Sequence, residues 1–208
     1  MESASQRVIS AIESNEKILL YGDYDVDGTT AVSLMSSFLE KRNALFDIYI
    51  PDRHLEGYGV SEAGIKYAIK NDITLIITLD CGIKDFISLK LASNSKIDVI
   101  VCDHHLTSDT LPSAYAILNP KRGDCNYPNP NLSGCGVGFK LIQAISQHIG
   151  LREDEAYQYL DLVAISIACD MVPVIGENRC LAYHGLRLLE KSSRPGLKII
   201  LEHSGILE

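Results

Sequence analysis

No apolar run in the 208-residue chain reaches the ~20 residues that a membrane-crossing helix requires. The first seventeen residues, MESASQRVISAIESNEK, also lack the apolar stretch of a secretory signal. The expectation is a cytoplasmic protein with no membrane partner. An excess of basic charge is missing too: 19 Lys and Arg stand against 27 Asp and Glu, a net charge of −8. Taken alone, that sign argues mildly against a nucleic-acid binder. None of the six cysteines forms a CxxC pair, which excludes a zinc ribbon. Cys81, Cys102 and Cys169 end apolar runs and are expected to be small buried thiols. There is no internal repeat and no low-complexity segment. What remains is a globular composition, 46% hydrophobic and 22% charged, rich enough in apolar residues to bury a core. It excludes a disordered tail, a collagen-like fibre and a disulfide miniprotein. The length fits one large domain, or one domain with a small appendage.

Strand and helix patterns alternate along the chain. Residues 17–22 (KILLYG) read as a short buried strand. A helix is expected over residues 29–42, where Ala31, Leu34, Met35, Phe38 and Leu39 make one apolar stripe. Residues 46–50 are a second strand, and Ser61 can cap the helix that follows. Residues 73–79 (ITLIITL) are unbroken and β-branched, as in a strand covered on both faces. A helix over 86–92 leads to a strand at 97–102, and a fifth strand is expected at 115–118. A loop at 119–133, rich in Pro, Asn and Gly, separates this half from helices at about 136–149, 154–168, 178–191 and 195–203. The fold class implied is α/β: a doubly wound, mainly parallel sheet with helices on both faces and a helical C-terminal part.

In an open parallel sheet, ligands bind beyond the carboxyl ends of the strands. Those ends are acidic here. The first strand runs into Asp23-Tyr-Asp25-Val-Asp27-Gly28, the third into Asp80-Cys81-Gly82 and the fourth into Asp103-His104-His105, while the helical segment LVAISIAC ends in Asp170. Carboxylates so gathered repel one another unless protonated or bridged by cations. Mixed Asp and His donors suit Mn²⁺, Mg²⁺ or Zn²⁺ better than Ca²⁺, and there are enough of them for two ions sharing a carboxylate. Any one of these aspartates alone would read as a turn or cap residue; it is their common place in the fold that points to a site. His54, His148, His184 and His203 lack such company and read as surface or satisfied core residues.

Three other motifs are set aside. Asp23-x-Asp25-x-Asp27-Gly28 opens like an EF-hand loop, but its twelfth position is Leu34 and a strand precedes it. Asp25-Val-Asp27-Gly28-Thr29 matches the DxDGT of haloacid-dehalogenase-type phosphatases, yet the later acidic pair of those enzymes is missing and they give no role to two histidines. Gly134-Cys-Gly136-Val-Gly138 is not GxGxxG and follows a polar loop rather than a first strand.

The ordered set GDYDVDG, DCG, CDHH and CDMVP resembles the four motifs of the DHH phosphoesterase superfamily. Within it, the stretches IPDRHLEGYG, LNPKRGDCNYPNPNLSGCGVGFKL and VPVIGENRCLAYHGLRLL are similar to the RecJ family of bacterial single-strand-specific exonucleases. The resemblance implies metal ligands at Asp25, Asp27, Asp80, His104 and Asp170, with Asp80 bridging, and two divalent ions, Mn²⁺ or Mg²⁺. It implies catalytic roles for His105, at the scissile phosphate, and for Asp103, orienting the histidines. Relatives often carry His where Tyr21 stands, which makes Asp23 a further candidate ligand.

The function implied is hydrolysis of phosphodiesters as a 5′→3′ exonuclease on single-stranded DNA, in repair and recombination. Partners would be single-stranded DNA and, in a full-length protein, a single-strand-binding protein or helicase. The alternatives are a phosphodiesterase of short oligonucleotides or small nucleotides, and a non-catalytic DHH scaffold in a replication complex. Residues 1–208 are expected to be one DHH domain with its core at about 17–190, and 191–208 to begin a linker. The glycine-rich GGH-like motif of the superfamily's substrate domain is missing, so the chain is expected to be a fragment or a minimal member. Residues 132–140, with Gly134, Gly136 and Gly138, open a helix and offer either a phosphate site or tight packing. Arg53, after the second strand, is a second candidate substrate contact.

Overall fold

The computed structural model describes residues 1–191 and 194–205. Five parallel strands, β1 (Ile18–Gly22), β2 (Phe46–Tyr49), β3 (Leu75–Leu79), β4 (Asp98–Cys102) and β5 (Ala116–Leu118), form one sheet in the order β2-β1-β3-β4-β5. Ile18 is in register with both Phe46 and Leu75, and Leu79 with Cys102. The sheet winds outward in both directions from β1, so the topological switch lies between β1 and β3.

Both faces are covered, which is why β1 and β3 are buried throughout and almost wholly apolar. Alternation along each strand sorts the side chains. Ile18, Leu20, Leu75, Ile77, Leu79 and Ile100 enter one core, with α2 (Val26–Glu40), α5 (Gly134–His148), α6 (Leu160–Cys169) and α7 (Gly176–Leu189). Leu19, Tyr21, Ile76, Val99 and Val101 enter the other, with α3 (Glu62–Lys70) and α4 (Phe86–Asn94). The doubly wound architecture and helical C-terminal part are as expected. Among the described residues, no helix is long and apolar enough to cross a membrane.

The structure corrects three expectations. The core begins before residue 17: α1 (Glu2–Glu13) packs on the larger core through Ala4, Val8 and Ala11, all fully buried. Their spacing puts three small side chains on one stripe of the helix, with Ile9 and Ile12 packing beside it. Residues 154–168 are not one helix. Glu153–Tyr159 is a 3₁₀ stretch, whose three-residue period brings both Ala156 and Tyr159 into the core before α6 begins. Cys169 is exposed rather than buried, because it closes α6 where that helix meets solvent, whereas Cys81 and Cys102 are buried thiols. The last helix, α8 (Pro195–His203), spans the expected residues.

Candidate metal centre

The sheet ladder itself gathers the first three acidic residues. Each is one residue past its strand, and each extends the ladder by donating its backbone N–H to the neighbouring strand's last carbonyl: Asp23 to Leu79 (3.2 Å), Asp80 to Cys102 (2.8 Å) and Asp103 to Leu118 (3.0 Å). Their side chains therefore leave one rim of the sheet, at the switch between β1 and β3. Asp80 stands in the left-handed region (φ 64°), a conformation Asp tolerates better than most residues.

Asp25 and Asp27 come from the start of α2. Asp25 caps that helix, accepting the Gly28 N–H at 3.0 Å, so α2 begins three residues before the expected Thr29. Asp27 is 1% exposed and its carboxylate is heavily engaged. It accepts the N–H groups of Gly134 (2.6 Å) and Cys135 (2.7 Å) and the Ser166 hydroxyl (2.7 Å). The first turn of α5 thus faces a carboxylate of the protein itself, favourable for the helix dipole.

This settles what the α5 N–H groups do. Gly136 gives its N–H to Ser133 Oγ (3.1 Å), and Val137 gives its own to the Ser133 carbonyl. The N–H groups of Gly134, Cys135, Gly136 and Val137 are all taken by the protein, and Gly134, Gly136 and Gly138 are buried. For Gly134, packing is a sufficient reason for glycine. A Cβ on Gly134 would lie 2.5 Å from both Cβ and Oδ1 of Asp80, so only glycine lets α5 approach the rim. Ser133 and Ser166, buried beneath Asp27, are functional supports that the sequence did not mark.

His104 is the hub. Its Nε2 lies 3.2 Å from Asp80 Oδ1, 3.5 Å from Asp170 Oδ2 and 3.6 Å from Asp27 Oδ2. Asp170 reaches it from the C-cap of α6. Asp103 points elsewhere: its carboxylate accepts the N–H groups of Ile83, His104 and His105, and faces Nδ1 of the His105 ring at 2.7 Å. Asp103 therefore orients both histidines. Burial pushes its carboxyl up, but these hydrogen bonds outweigh burial and hold it below the usual range. The same contact raises the pKa of His105. Arg53 is exposed, with its guanidinium 5.4 Å from the Tyr24 ring, between Asp23 and Asp25 in sequence. Tyr21 is no donor to this cluster: its hydroxyl ties the loop after β2, donating to the Gly59 carbonyl and accepting the Ser61 N–H.

Among the described residues, three sets of donor atoms lie close enough to share an ion: Asp23, Asp25 and Asp80; Asp27, His104 and Asp170; and Asp80, His104 and His105. Asp80 and His104 join the sets. All six aspartates and histidines read from the sequence as ligands are included. The chemistry of the set also asks for a cation. Asp23 Oδ1, Asp80 Oδ1 and both ring nitrogens of His104 are buried without a hydrogen-bond partner, a costly arrangement unless something binds them. Burial, reinforced by Asp27 and Asp25, pushes the Asp80 carboxyl up to about 10. Burial and Asp25 push Asp23 up to about 6. Burial also raises Asp170, with His104 opposing.

A pH dependence follows. Without divalent ions, folded Asp23 and Asp80 hold protons more tightly than the unfolded chain does. Their contribution to stability is full below the ordinary aspartate value of 3.8, and is lost as pH rises through about 6 for Asp23 and about 10 for Asp80. A bound ion replaces those protons, so the rise in Tm on adding Mn²⁺ should be larger at about pH 8 than at about pH 5.5. Thermal melts with Mn²⁺ or a chelator test this; equal gains at both pH values would contradict it.

Residues 17–167 match the DHH family, N-terminal domain. A single-stranded-DNA-specific exonuclease RecJ of Bacillus subtilis (strain 168) is 43% identical over 205 residues, covering 99% of this chain and 25% of the relative. Its counterpart in Escherichia coli (strain K12) is 35% identical over 215 residues, covering 97% and 37%. A crystal structure of exonuclease RecJ bound to manganese aligns with a TM-score of 0.89 at 31% identity, covering 97% of this chain and 51% of that one. The chain thus spans between a quarter and about half the length of these relatives.

Proposed function

The chain belongs to the DHH family, and from that premise we propose that it is the catalytic unit of a metal-dependent phosphodiesterase: a cytoplasmic 5′→3′ exonuclease that frees 5′-mononucleotides from single-stranded DNA during repair and recombination. The observation that carries this reading is the convergence of five aspartates and His104 at the rim of the sheet, where Asp23 Oδ1, Asp80 Oδ1 and both His104 ring nitrogens are buried without a hydrogen-bond partner. Asp23, Asp25 and Asp80 would hold one divalent ion, and Asp27, His104 and Asp170 the other, with Asp80 lying against both sets. Mn²⁺ or Mg²⁺ bound there would supply an activated water and neutralise phosphate charge.

The protein's own residues do the rest. Asp103 fixes the His105 ring through Nδ1 and favours its protonated form, which would leave Nε2 to donate to a non-bridging phosphate oxygen. Asp27, clamped by α5 and Ser166, cannot swing away from His104. Arg53, exposed beside Tyr24, would meet a neighbouring phosphate of the strand. Cleavage in line with departure of the 3′-oxygen releases the terminal 5′-mononucleotide. The single-strand specificity is that of the relatives and is carried over from them.

The test is an assay of this chain with Mn²⁺ on an end-labelled single strand, a duplex of the same sequence and a dinucleotide. Mononucleotides from the single strand, suppressed by chelator, are expected. Cleavage of the dinucleotide alone would favour a small-nucleotide enzyme. Tight Mn²⁺ binding with no cleavage of any substrate would favour the scaffold reading.

A further inference from the structure

His105 is held on two sides. Asp103 takes Nδ1, and on the open side stands Tyr58, with its hydroxyl 3.1 Å from Nδ1 and 3.3 Å from Nε2 and its ring edge-on to the imidazole at 5.7 Å. Tyr58 is 53% exposed and lies in the loop between β2 and α3, where a side chain is ordinarily free to turn. Something must hold it there. Asp85 stands at the N-cap of α4, yet its carboxylate makes no cap hydrogen bond to that helix. Instead it accepts the N–H of Val60, 25 residues away, at 2.7 Å. Gly59, between Tyr58 and Val60, has φ +86°, and a Cβ there would fall 2.5 Å from the Asp85 carboxylate. The Tyr21 hydroxyl fastens the same turn through the Gly59 carbonyl and the Ser61 N–H. The turn is therefore bolted to β1 and to the segment that follows Asp80, immediately beside the tyrosine that meets His105.

We propose that Asp85 and Tyr58 form a clamp that positions the His105 ring, Tyr58 by direct contact and Asp85 by fixing the turn that presents it. The proposal rests on the nuclease reading only for its effect on turnover; the clamp itself is a statement about the histidine ring. Both are positioning residues. Neither belongs to the three groups of candidate metal donors, so losing the clamp should leave ion affinity intact while turnover falls.

The variants are Tyr58→Phe, Asp85→Ala, Asp85→Asn and the Tyr58→Phe/Asp85→Ala pair. Tyr58→Phe and Asp85→Ala should each cut kcat on a single strand by roughly 10–100-fold, the scale of losing a supporting residue, with Mn²⁺ affinity within about twofold. Asp85→Asn keeps an oxygen for the Val60 N–H and should restore most of the activity. The double variant should be no worse than Asp85→Ala, since both act through one contact. Independently of activity, the His105 ring ¹⁵N signals of the Mg²⁺-loaded protein should move in Tyr58→Phe and Asp85→Ala, and stay near the parent in Asp85→Asn. Unmoved ring signals, or losses that multiply in the double variant, would overturn the clamp. A parent chain that cuts nothing would instead sink the nuclease reading and leave the ring signals to decide the clamp.

Discussion

Asp80→Asn is expected to eliminate single-strand cleavage while making the metal-free protein more stable. The two effects have one origin. Asp80 is 1% exposed, its Oδ1 has no hydrogen-bond partner, and its carboxyl is pushed up to about 10. Folding without an ion therefore forces a proton onto it or buries a charge among Asp27, Asp25 and Asp103. Asparagine carries no charge, matches the shape and accepts the left-handed backbone. Removing the penalty should raise the metal-free Tm by roughly 2–4 °C for each kcal/mol recovered. The amide is also a poor substitute where two ions meet, so activity should drop by more than the roughly 100-fold that a lost supporting residue costs. Melts and initial rates check both halves. A variant that cuts normally, or that is less stable than the parent in chelator, would show that Asp80 holds the fold rather than the ions.

Asp27→Ala should behave in the opposite way without metal. Asp27 is as buried as Asp80, but its oxygens are occupied by Gly134 N–H, Cys135 N–H and Ser166 Oγ. Alanine would strand two buried N–H groups at the start of α5 and remove a favourable charge from its dipole. At about 1–3 kcal/mol for each unsatisfied group, the loss should be roughly 2–6 kcal/mol by urea unfolding in chelator, together with loss of cleavage. Asp27→Asn retains one acceptor oxygen and should recover part of the stability without the activity. An Asp27→Ala protein as stable as the parent would mean that α5 does not need this carboxylate. Two aspartates of the same cluster thus separate a residue shaped for ions from one that also builds the fold.

The pattern of apolar runs made the sheet legible, because strands covered on both faces need unbroken apolar sequence, and the rule that ligands gather at carboxyl ends turned scattered aspartates into one site. α1 was harder to read: Ala4, Val8 and Ala11 are small, and twelve largely polar residues hide their stripe. The role of α5 was not readable at all. Local sequence reports a helix start after Ser133, but whether its N–H groups face solvent or a carboxylate depends on Asp27, 107 residues earlier. Ser166, 139 residues from Asp27, gives no local signal, since a serine inside a helix is common and its partner is set by packing. Tyr58 stood within the stretch IPDRHLEGYG, but its meeting with His105 spans 47 residues and depends on a turn held by Asp85.

Whether the rim of the sheet is a two-ion centre is decided by calorimetric titration of the chelator-treated chain with Mn²⁺ at about pH 8, where the ion has protons to displace. Two ions per chain are expected, with release of protons as Asp80 and Asp23 give theirs up. A chain that takes up no Mn²⁺, or binds it without releasing protons, would contradict the account.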